Sequence, residues 1–196
     1  MTDARHFVLS LAVAVAMAGP ALAQRAGDHH PEAEATTPSE RLDSLFSALS
    51  DPEATDATLV QRRITEIWSA SGSESMDYLL RRGRRAMDAE QYDKAIDHLT
   101  ALTRLAPDFV EGWNMRATAH FYVDEYWSAV ADIQQTLMLE PRHFGALAGL
   151  GTILERVGDE RGALIAWREA ARLNPHLGAA TEALRRLEAK VDGRDI

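Results

Sequence analysis

The chain has no cysteine among its 196 residues. That absence excludes disulfide bonds, thiolate metal sites and thiol nucleophiles, so the fold has to be stabilised by packing. Positive charge is also scarce, because 21 lysines and arginines face 30 aspartates and glutamates, for a formal net charge of -9. Since a negative chain repels phosphate backbones, we expect no nucleic-acid partner.

Long apolar runs are scarce as well. An apolar stretch over residues 7–17 follows Arg5 and His6, and Gly19 and Pro20 interrupt it. It is shorter than the roughly 20 residues that cross a bilayer. Ala21 and Ala23, two small residues on either side of Leu22, complete the three-part layout of a secretory signal peptide. The pattern predicts a signal peptide over residues 1–23, no stable membrane insertion after cleavage, and a bacterial periplasmic location; an uncleaved anchor is the less favoured alternative.

The remaining sequence has the composition of a folded protein, with 46% hydrophobic and 26% charged residues. Residues 24–40 show no apolar period and are predicted to form a flexible tether. Beyond them, apolar residues return at intervals of three and four, and no alternating runs occur. This periodicity predicts an all-α fold.

A repeat of fixed length organises the helical part. Pro107, Pro141 and Pro175 follow one another at intervals of 34 residues. Other positions recur on the same frame: Leu79, Arg82, Gly83, Ala86, Ala95 and Leu99, then Trp113, Arg116, Ala117, His120, Ala129 and Ile133, then Leu147, Leu150, Gly151, Leu154, Ala163 and Trp167. The length of the repeat and the spacing of these positions match the pattern W-x2-L-G-x2-Y, A-x3-F, P.

These residues resemble the tetratricopeptide-repeat (TPR) family over residues 76–177. The resemblance implies a right-handed α-solenoid of helix hairpins, whose helices stack because no hairpin buries its apolar surface alone. The predicted segments are a divergent N-terminal hairpin (41–72), three repeats (76–109, 110–143 and 144–177), a capping helix (178–191) and a tail (192–196). Arg82 and Arg116 replace the usual leucine, and Ala86 and His120 the usual tyrosine, which predicts less ideal packing.

The recurring residue types predict how each hairpin packs. Small residues on the first helix, such as Gly83, are expected to face alanines on the second, such as Ala95, so that the helices approach closely. The larger Leu99, Ile133 and Trp167 are expected to need a neighbouring hairpin for burial. Each proline is expected to end one hairpin and begin the next. The N-terminal hairpin fits a degenerate fourth repeat and a cap equally well.

No catalytic or metal-ligating pattern is present in the sequence. The phosphate-binding, metalloprotease and nucleophile-elbow motifs are absent, and Gly149 and Gly151 lack the third glycine of a dinucleotide site. His29 and His30 form only a two-residue pair, a weak metal site. We therefore expect no enzyme activity, no cofactor and no metal.

The resemblance implies a concave groove lined by the first helix of each repeat. Its predicted peptide-binding residues are Leu80, Arg84, Asn114, Thr118, Phe121, Tyr122, Thr152, Glu155 and Arg156. The lysine and paired asparagines of carboxylate-clamp TPR domains are not reproduced, and only Arg84 and Asn114 are reminiscent of them. This mixture of donors and aromatics suits a peptide backbone with an acidic group.

Two functions follow from the sequence. The first is a non-catalytic adaptor or assembly factor of the cell envelope that binds a protein or peptide in the groove, its identity unknown. The second is a structural protein that self-associates without a groove ligand. An arginine cluster, comprising Arg62, Arg63, Arg81, Arg82, Arg84 and Arg85, is predicted to be either a solvated face or a site for an acidic partner.

Overall fold

The structure, a computed structural model, describes residues 37–192. These residues form nine α-helices and no strand, which confirms the all-α prediction. The helices are α1 (Pro38–Leu49), α2 (Ala57–Trp68), α3 (Glu74–Asp88), α4 (Tyr92–Leu105), α5 (Val110–Tyr122), α6 (Tyr126–Leu139), α7 (Phe144–Arg156), α8 (Glu160–Leu173) and α9 (Gly178–Asp192). The predicted signal peptide, residues 24–36 of the predicted tether and residues 193–196 of the tail lie outside the described residues.

Helices α3 to α8 form three successive hairpins. Helices α4, α6 and α8 each end two residues before a proline of the 34-residue series. Proline has no N–H to donate and clashes with the preceding turn, so the helix has to stop there. The chain then turns and begins the first helix of the next hairpin, as the sequence predicts.

Close contact within a hairpin involves different residue pairs from those expected. A Cβ atom added at Gly83 would lie 2.7 Å from the Leu99 side chain, and one at Gly151 would lie 2.7 Å from the indole of Trp167. The small residue on the first helix therefore receives a large side chain of its own hairpin. A missing side chain on one helix leaves room for a bulky one on the other. Leu99 also belongs to a core cluster with Phe109 and Ala119, so the next hairpin contributes to its surroundings.

The turn inside each hairpin has the same backbone conformation. Glu90, Asp124 and Gly158 occupy one position of the repeat and have φ values of 55°, 59° and 84°. The amide of the next residue donates to a carbonyl five residues earlier in each case, as from Gln91 to Ala86 at 2.8 Å. This is the Schellman type of helix ending, which favours glycine, yet only the third turn has one.

Hydrogen bonds within and between hairpins involve the residues that depart from the repeat pattern. The guanidinium of Arg116 donates two hydrogen bonds of 2.7 Å to Asp132 on α6 and one of 2.9 Å to Thr103 on α4. His120 contacts Glu125 at 2.7 Å. The charge of Arg116 is therefore paired and its donors are satisfied, although leucine is usual at this position of the repeat. The less ideal packing of these repeats stays a prediction.

The N-terminal hairpin begins earlier than predicted. Helix α1 starts at Pro38, inside the segment assigned to the tether, because Thr37 and Glu40 form a capping box. In this box the Thr37 hydroxyl accepts from the Glu40 amide, and the Glu40 carboxylate accepts from the Thr37 amide. Such reciprocal bonds satisfy donors that a helix start otherwise leaves unpaired.

Helices α1 and α2 pack along the turns between hairpins, not as a fourth repeat at the start of the stack. We call this pair the strap (Pro38–Trp68). Trp68 stacks on His143 with ring centroids 4.1 Å apart, and Phe46 meets Phe144 edge-on. Its polar contacts are Asp43 with Arg142 at 2.6 Å, Gln61 with Asn174 at 3.1 Å, and Asp51 with His176 at 2.8 Å. The strap therefore spans the turn before α7 and the turn before α9.

The end of the stack has a capping helix. Helix α9 runs from Gly178 to Asp192, close to the predicted 178–191. Ala180, Ala183 and Leu187 are buried on one side and belong to the same core cluster as Leu173 of α8. The opposite side bears charged residues such as Glu182 and Arg185, which suits the exposed end of an open stack.

Candidate functional site

A cavity of about 210 Å³ lies between α5 and α7. Its lining is Asn114, Ala117, Thr118, Phe121, Tyr122, Ile133, Gly145, Ala146, Gly149, Thr152 and Ile153. The cavity exists because α7 presents glycine at two positions that face α5 and α6. A Cβ atom added at Gly149 would have only Ile133 as a neighbour, at 3.6 Å. We call this cavity the groove pocket.

Apolar and polar groups are separated in the groove pocket. Ile133 and Ile153 are buried and form an apolar base. The hydroxyls of Thr118 and Thr152 donate to carbonyls within their own helices, at 3.0 and 2.9 Å. Each hydroxyl oxygen still has lone pairs that can accept from a ligand. The Asn114 amide donates to Glu111 at 3.2 Å and retains its carbonyl oxygen as an acceptor.

Aromatic rings form one rim of the groove pocket. Tyr122 stacks on Tyr92, with ring centroids 4.8 Å apart and planes 4° from parallel. Phe121 packs edge-on against Tyr122 and tilted against Tyr126, and the Arg156 guanidinium lies 5.6 Å from its ring centroid. Such rings offer rigid contact area at low entropic cost.

The pKa values of Tyr92 and Tyr126 in this rim are raised above the ordinary value for tyrosine. Partial burial, followed by the charge of Glu90, raises the pKa of the Tyr92 hydroxyl. A hydrogen bond to Asp124 is the main cause that raises the pKa of Tyr126. Both groups are therefore held in the protonated form, and neither is prepared to act as a base.

A buried charge cluster lies beside the groove pocket, under the end of the strap. Glu111 accepts from Arg84 at 3.0 Å and lies 3.5 Å from the His143 Nε2 atom. Burial alone would raise the pKa of Glu111, but the hydrogen bond and charge of His143, and then those of Arg84, hold it below its ordinary value. Arg84 also donates to Ser69, just after α2, at 2.7 Å. The cluster therefore joins α3, the start of α5 and the residue before α7 to the segment that follows the strap.

A TPR repeat-containing protein of Rhizobium etli is 35% identical to this chain over 161 residues, which cover 81% of the chain and 78% of that protein. The chain belongs to the tetratricopeptide-repeat family. Domains of this TPR family commonly mediate protein–protein interaction and are generally non-catalytic. No protein-family model matches the chain.

Solved TPR structures share the fold at low sequence identity. The TPR domain of Sgt2 from Aspergillus fumigatus has a TM-score of 0.59 and 23% identity, over 63% of this chain and 83% of that one. The first TPR domain of Spaghetti (RPAP3), solved with an HSP90 peptide, has a TM-score of 0.59 and 22% identity, over 61% of this chain and 95% of that one. These likenesses place the helices in a TPR solenoid.

The structure brings together five of the nine residues predicted for the TPR groove: Asn114, Thr118, Phe121, Tyr122 and Thr152. Arg156 is at the edge, above the ring of Phe121.

The other three predicted residues have structural contacts instead. Leu80 is 2% exposed and belongs to a core cluster with Leu99, so it does not line an open surface. Arg84 is committed to Glu111 and Ser69. Glu155 accepts from the Trp167 indole at 2.8 Å and pairs with Arg186 at 2.7 Å, so it joins α7 to α8 and α9.

Sequence reasoning missed several residues of this region. Gly145 and Gly149 create the space of the groove pocket, and Tyr92 supports the Tyr122 ring from another helix. The two glycines are four residues apart in α7, a spacing that puts them on one helix face. That signal was available in the sequence, whereas the Tyr92 contact depends on how two hairpins are placed against each other.

Within 37–192, no group of three or more histidines, cysteines, aspartates or glutamates is arranged to hold a metal ion. In the same residues, no helix combines the length and apolar character that crossing a bilayer requires.

Proposed function

We propose that this TPR protein is an adaptor or assembly factor of the bacterial cell envelope that binds an extended peptide segment of a partner protein in the groove pocket. The observation that supports it best is the pocket itself, which combines an apolar base, an open aromatic rim and polar acceptors in one concavity. Ligand sites in proteins have this composition. The TPR domain of Spaghetti (RPAP3), solved with a bound peptide, gives a precedent on the same fold.

The proposed binding mode follows from the groups present. An apolar side chain of the peptide enters between Ile133 and Ile153, while its backbone amide donates to the Asn114 carbonyl oxygen. The Tyr122 ring, which is 54% exposed, covers the peptide from one side. Arg156 is placed to meet a carboxylate beyond the ring of Phe121.

A cavity-filling substitution tests this proposal. A photo-reactive residue at Tyr122 would first identify the bound segment by cross-linking and mass spectrometry. The synthetic segment would then be titrated against the wild type, Gly149→Leu and the control Gly149→Ala. We expect Gly149→Leu to weaken binding about tenfold or more, because it fills the central pocket of the interface. Equal affinity of the leucine and alanine variants would contradict the proposal.

A polar counterpart of the same test uses Asn114 and Tyr122. The double variant Asn114→Ala, Tyr122→Ala removes an amide and an exposed ring without touching the buried base. We expect weaker capture of the same segment and a nearly unchanged melting temperature, checked by circular dichroism. Unchanged capture would mean that the segment binds elsewhere.

Self-association is the second candidate function. Its supporting observation is the exposure of large apolar residues on the outer helices, with Trp127 at 84% and Met138 at 76% on α6. Large exposed apolar groups often mark protein contacts. Sedimentation across a concentration series distinguishes the candidates, since a groove adaptor remains monomeric and a self-associating protein does not.

The envelope location is part of the proposal and depends on the predicted signal peptide. Expression of a C-terminally tagged chain in a Gram-negative host would be followed by fractionation. We expect a shortened protein in the periplasmic fraction, beginning at Gln24. A full-length chain in the cytosol would contradict this location and leave the groove proposal unaffected.

A further inference from the structure

The first hairpin of the stack has a face that no earlier helix of residues 37–192 covers. In the later hairpins, the equivalent face of the first helix packs on the hairpin before it. A Cβ atom at Gly112 of α5 would lie 3.3 Å from Leu102 of α4, and one at Gly149 of α7 would lie 3.6 Å from Ile133 of α6. The strap packs on the turns before α7 and α9, so within the part of the chain that the structure describes no hairpin packs on this face of α3.

Residue types on this face differ between α3 and its two equivalents. Ala119 and Ile153 are buried, and the position 34 residues before Ala119 is the exposed Arg85. Gly112 corresponds to Tyr78, which is 49% exposed. Large and charged side chains therefore occupy α3 where close stacking demands small or apolar ones. We call Tyr78, Arg81, Arg82 and Arg85 the end face.

The arginines of the end face are available for a ligand. Among the ion pairs of residues 37–192, none involves Arg81, Arg82 or Arg85, although Arg81 is near enough to Asp77 to lower the pKa of that carboxyl. Arg82 donates a long hydrogen bond of 3.4 Å to the Tyr78 hydroxyl. By contrast, Arg116 occupies the same repeat position as Arg82, one repeat later. Its guanidinium donates hydrogen bonds to Asp132 and to Thr103 of α4.

We infer that the end face is a docking site for an acidic segment of a partner protein. Three guanidinium groups within little more than one turn of one helix can pair with neighbouring carboxylates through forked hydrogen bonds. An open depression is lined by Met76, Leu79, Leu105, Tyr78 and Arg81 together with Glu74 and Asp77. Apolar side chains of the segment find contact there, while its carboxylates pair with the arginines. Nucleic acid is the poorer fit, because binding a phosphate backbone requires many cations in a row and the end face has only three.

The inference is independent of the groove pocket, because it concerns another helix and another partner chemistry. Its test uses the full mature chain and a poly-L-glutamate peptide as probe, with an uncharged glycine–serine peptide of equal length for comparison. The triple variant Arg81→Gln, Arg82→Gln, Arg85→Gln is compared with a matched triple variant, Arg168→Gln, Arg172→Gln, Arg185→Gln. Both remove three exposed arginines and the same charge.

We expect poly-L-glutamate to bind the wild type and the matched triple variant alike. Loss of the end-face arginines should weaken binding about tenfold, since three partly exposed charge contacts of modest strength are removed together. Binding should also weaken as salt is added. Equal weakening in both triple variants, or a single-stranded oligonucleotide that binds as tightly as poly-L-glutamate, would overturn the inference.

Discussion

Helices α3 and α5 begin successive repeats, and each has an arginine at the same slot. Arg116 of α5 is mostly buried and bridges two hairpins, whereas Arg82 of α3 is exposed at the end of the stack. The difference comes from the neighbouring hairpin. Among the residues that the structure describes, α5 packs on a preceding hairpin and α3 does not. The position in the repeat therefore determines on which face of its helix a side chain lies. The neighbouring hairpin determines whether that side chain makes structural contacts or remains available to a ligand.

Removing Asp132 tests how much the ion pair of the buried Arg116 contributes to stability. Asp132→Ala leaves Arg116 largely buried without its carboxylate, and breaking a buried ion pair costs about 3–5 kcal/mol. Urea denaturation would measure the loss. The matched change on the open side, Arg82→Ala, should alter stability by less than about 0.5 kcal/mol. Similar costs for both variants would show that the two arginines are equally exposed.

Two glycines of α7 allow a tightly packed position and an open position to be compared within one helix. Gly151→Ala places a Cβ against the Trp167 ring and should cost about 1–3 kcal/mol through overpacking. Gly149→Ala faces the groove pocket and should instead stabilise the helix by up to about 1 kcal/mol. Thermal melts of both variants would measure these effects, and a destabilised Gly149→Ala variant would mean that the pocket is already filled.

The buried cluster at the start of α5 predicts a dependence on pH. The pKa of Glu111 is held below its ordinary value in the folded chain, so its carboxylate stabilises the fold above the unfolded pKa of about 4.3. That contribution is lost as the pH falls through the folded value, with a slope of at most about 1.4 kcal/mol per pH unit.

Comparison with Glu111→Gln isolates this contribution. Denaturant unfolding of both proteins between about pH 3 and 6 should show a shallower acid dependence in the variant. The exposed Glu66→Gln serves as the control for a simple change of charge. Parallel pH curves for the wild type and Glu111→Gln would contradict the prediction.

The smallest effect is expected at the turns inside the hairpins. Glu90 has φ of 55°, a conformation that costs a residue with a side chain about 1–2 kcal/mol. Glu90→Gly should stabilise the first hairpin by less than about 1 kcal/mol, because glycine loses more backbone entropy on folding. Gly158→Ala, at the equivalent turn with φ of 84°, should destabilise the third hairpin. Melting temperatures that move in the same direction would contradict the assignment.

The sequence was a good guide to the helices and a partial guide to the groove. Pro107, Pro141 and Pro175 predicted the hairpin boundaries because a proline effect is local. Asn114, Thr118 and Phe121 line the groove pocket together because all lie on one helix, whose period fixes their relative directions. Their role in peptide binding stays a prediction. Glu155 is instead held by Trp167 and Arg186, contacts that come from two other helices.

The strap shows the limit of local reasoning most clearly. Its two apolar stripes are visible in the sequence, and they predict a hairpin with one buried side. They do not say which surface receives it, because Trp68 fits any apolar contact of the right size. The observed site is selected by pairs far apart in the chain, such as Gln61 with Asn174 and Asp43 with Arg142.

The sequence alone determined the all-α class, the 34-residue period and the direction of each side chain along its helix. These depend on helical geometry and on the backbone chemistry of proline and glycine, which act over a few residues. The tertiary structure decided where the strap and the arginines make contact. Within residues 37–192, the strap does not cover the end face of the first hairpin. Arg84 forms an ion pair with Glu111, whereas Arg82 forms none. Those outcomes depend on which helix surfaces come into contact. The stacking of hairpins brings together residues that are far apart in the chain, and a local sequence pattern does not specify such contacts.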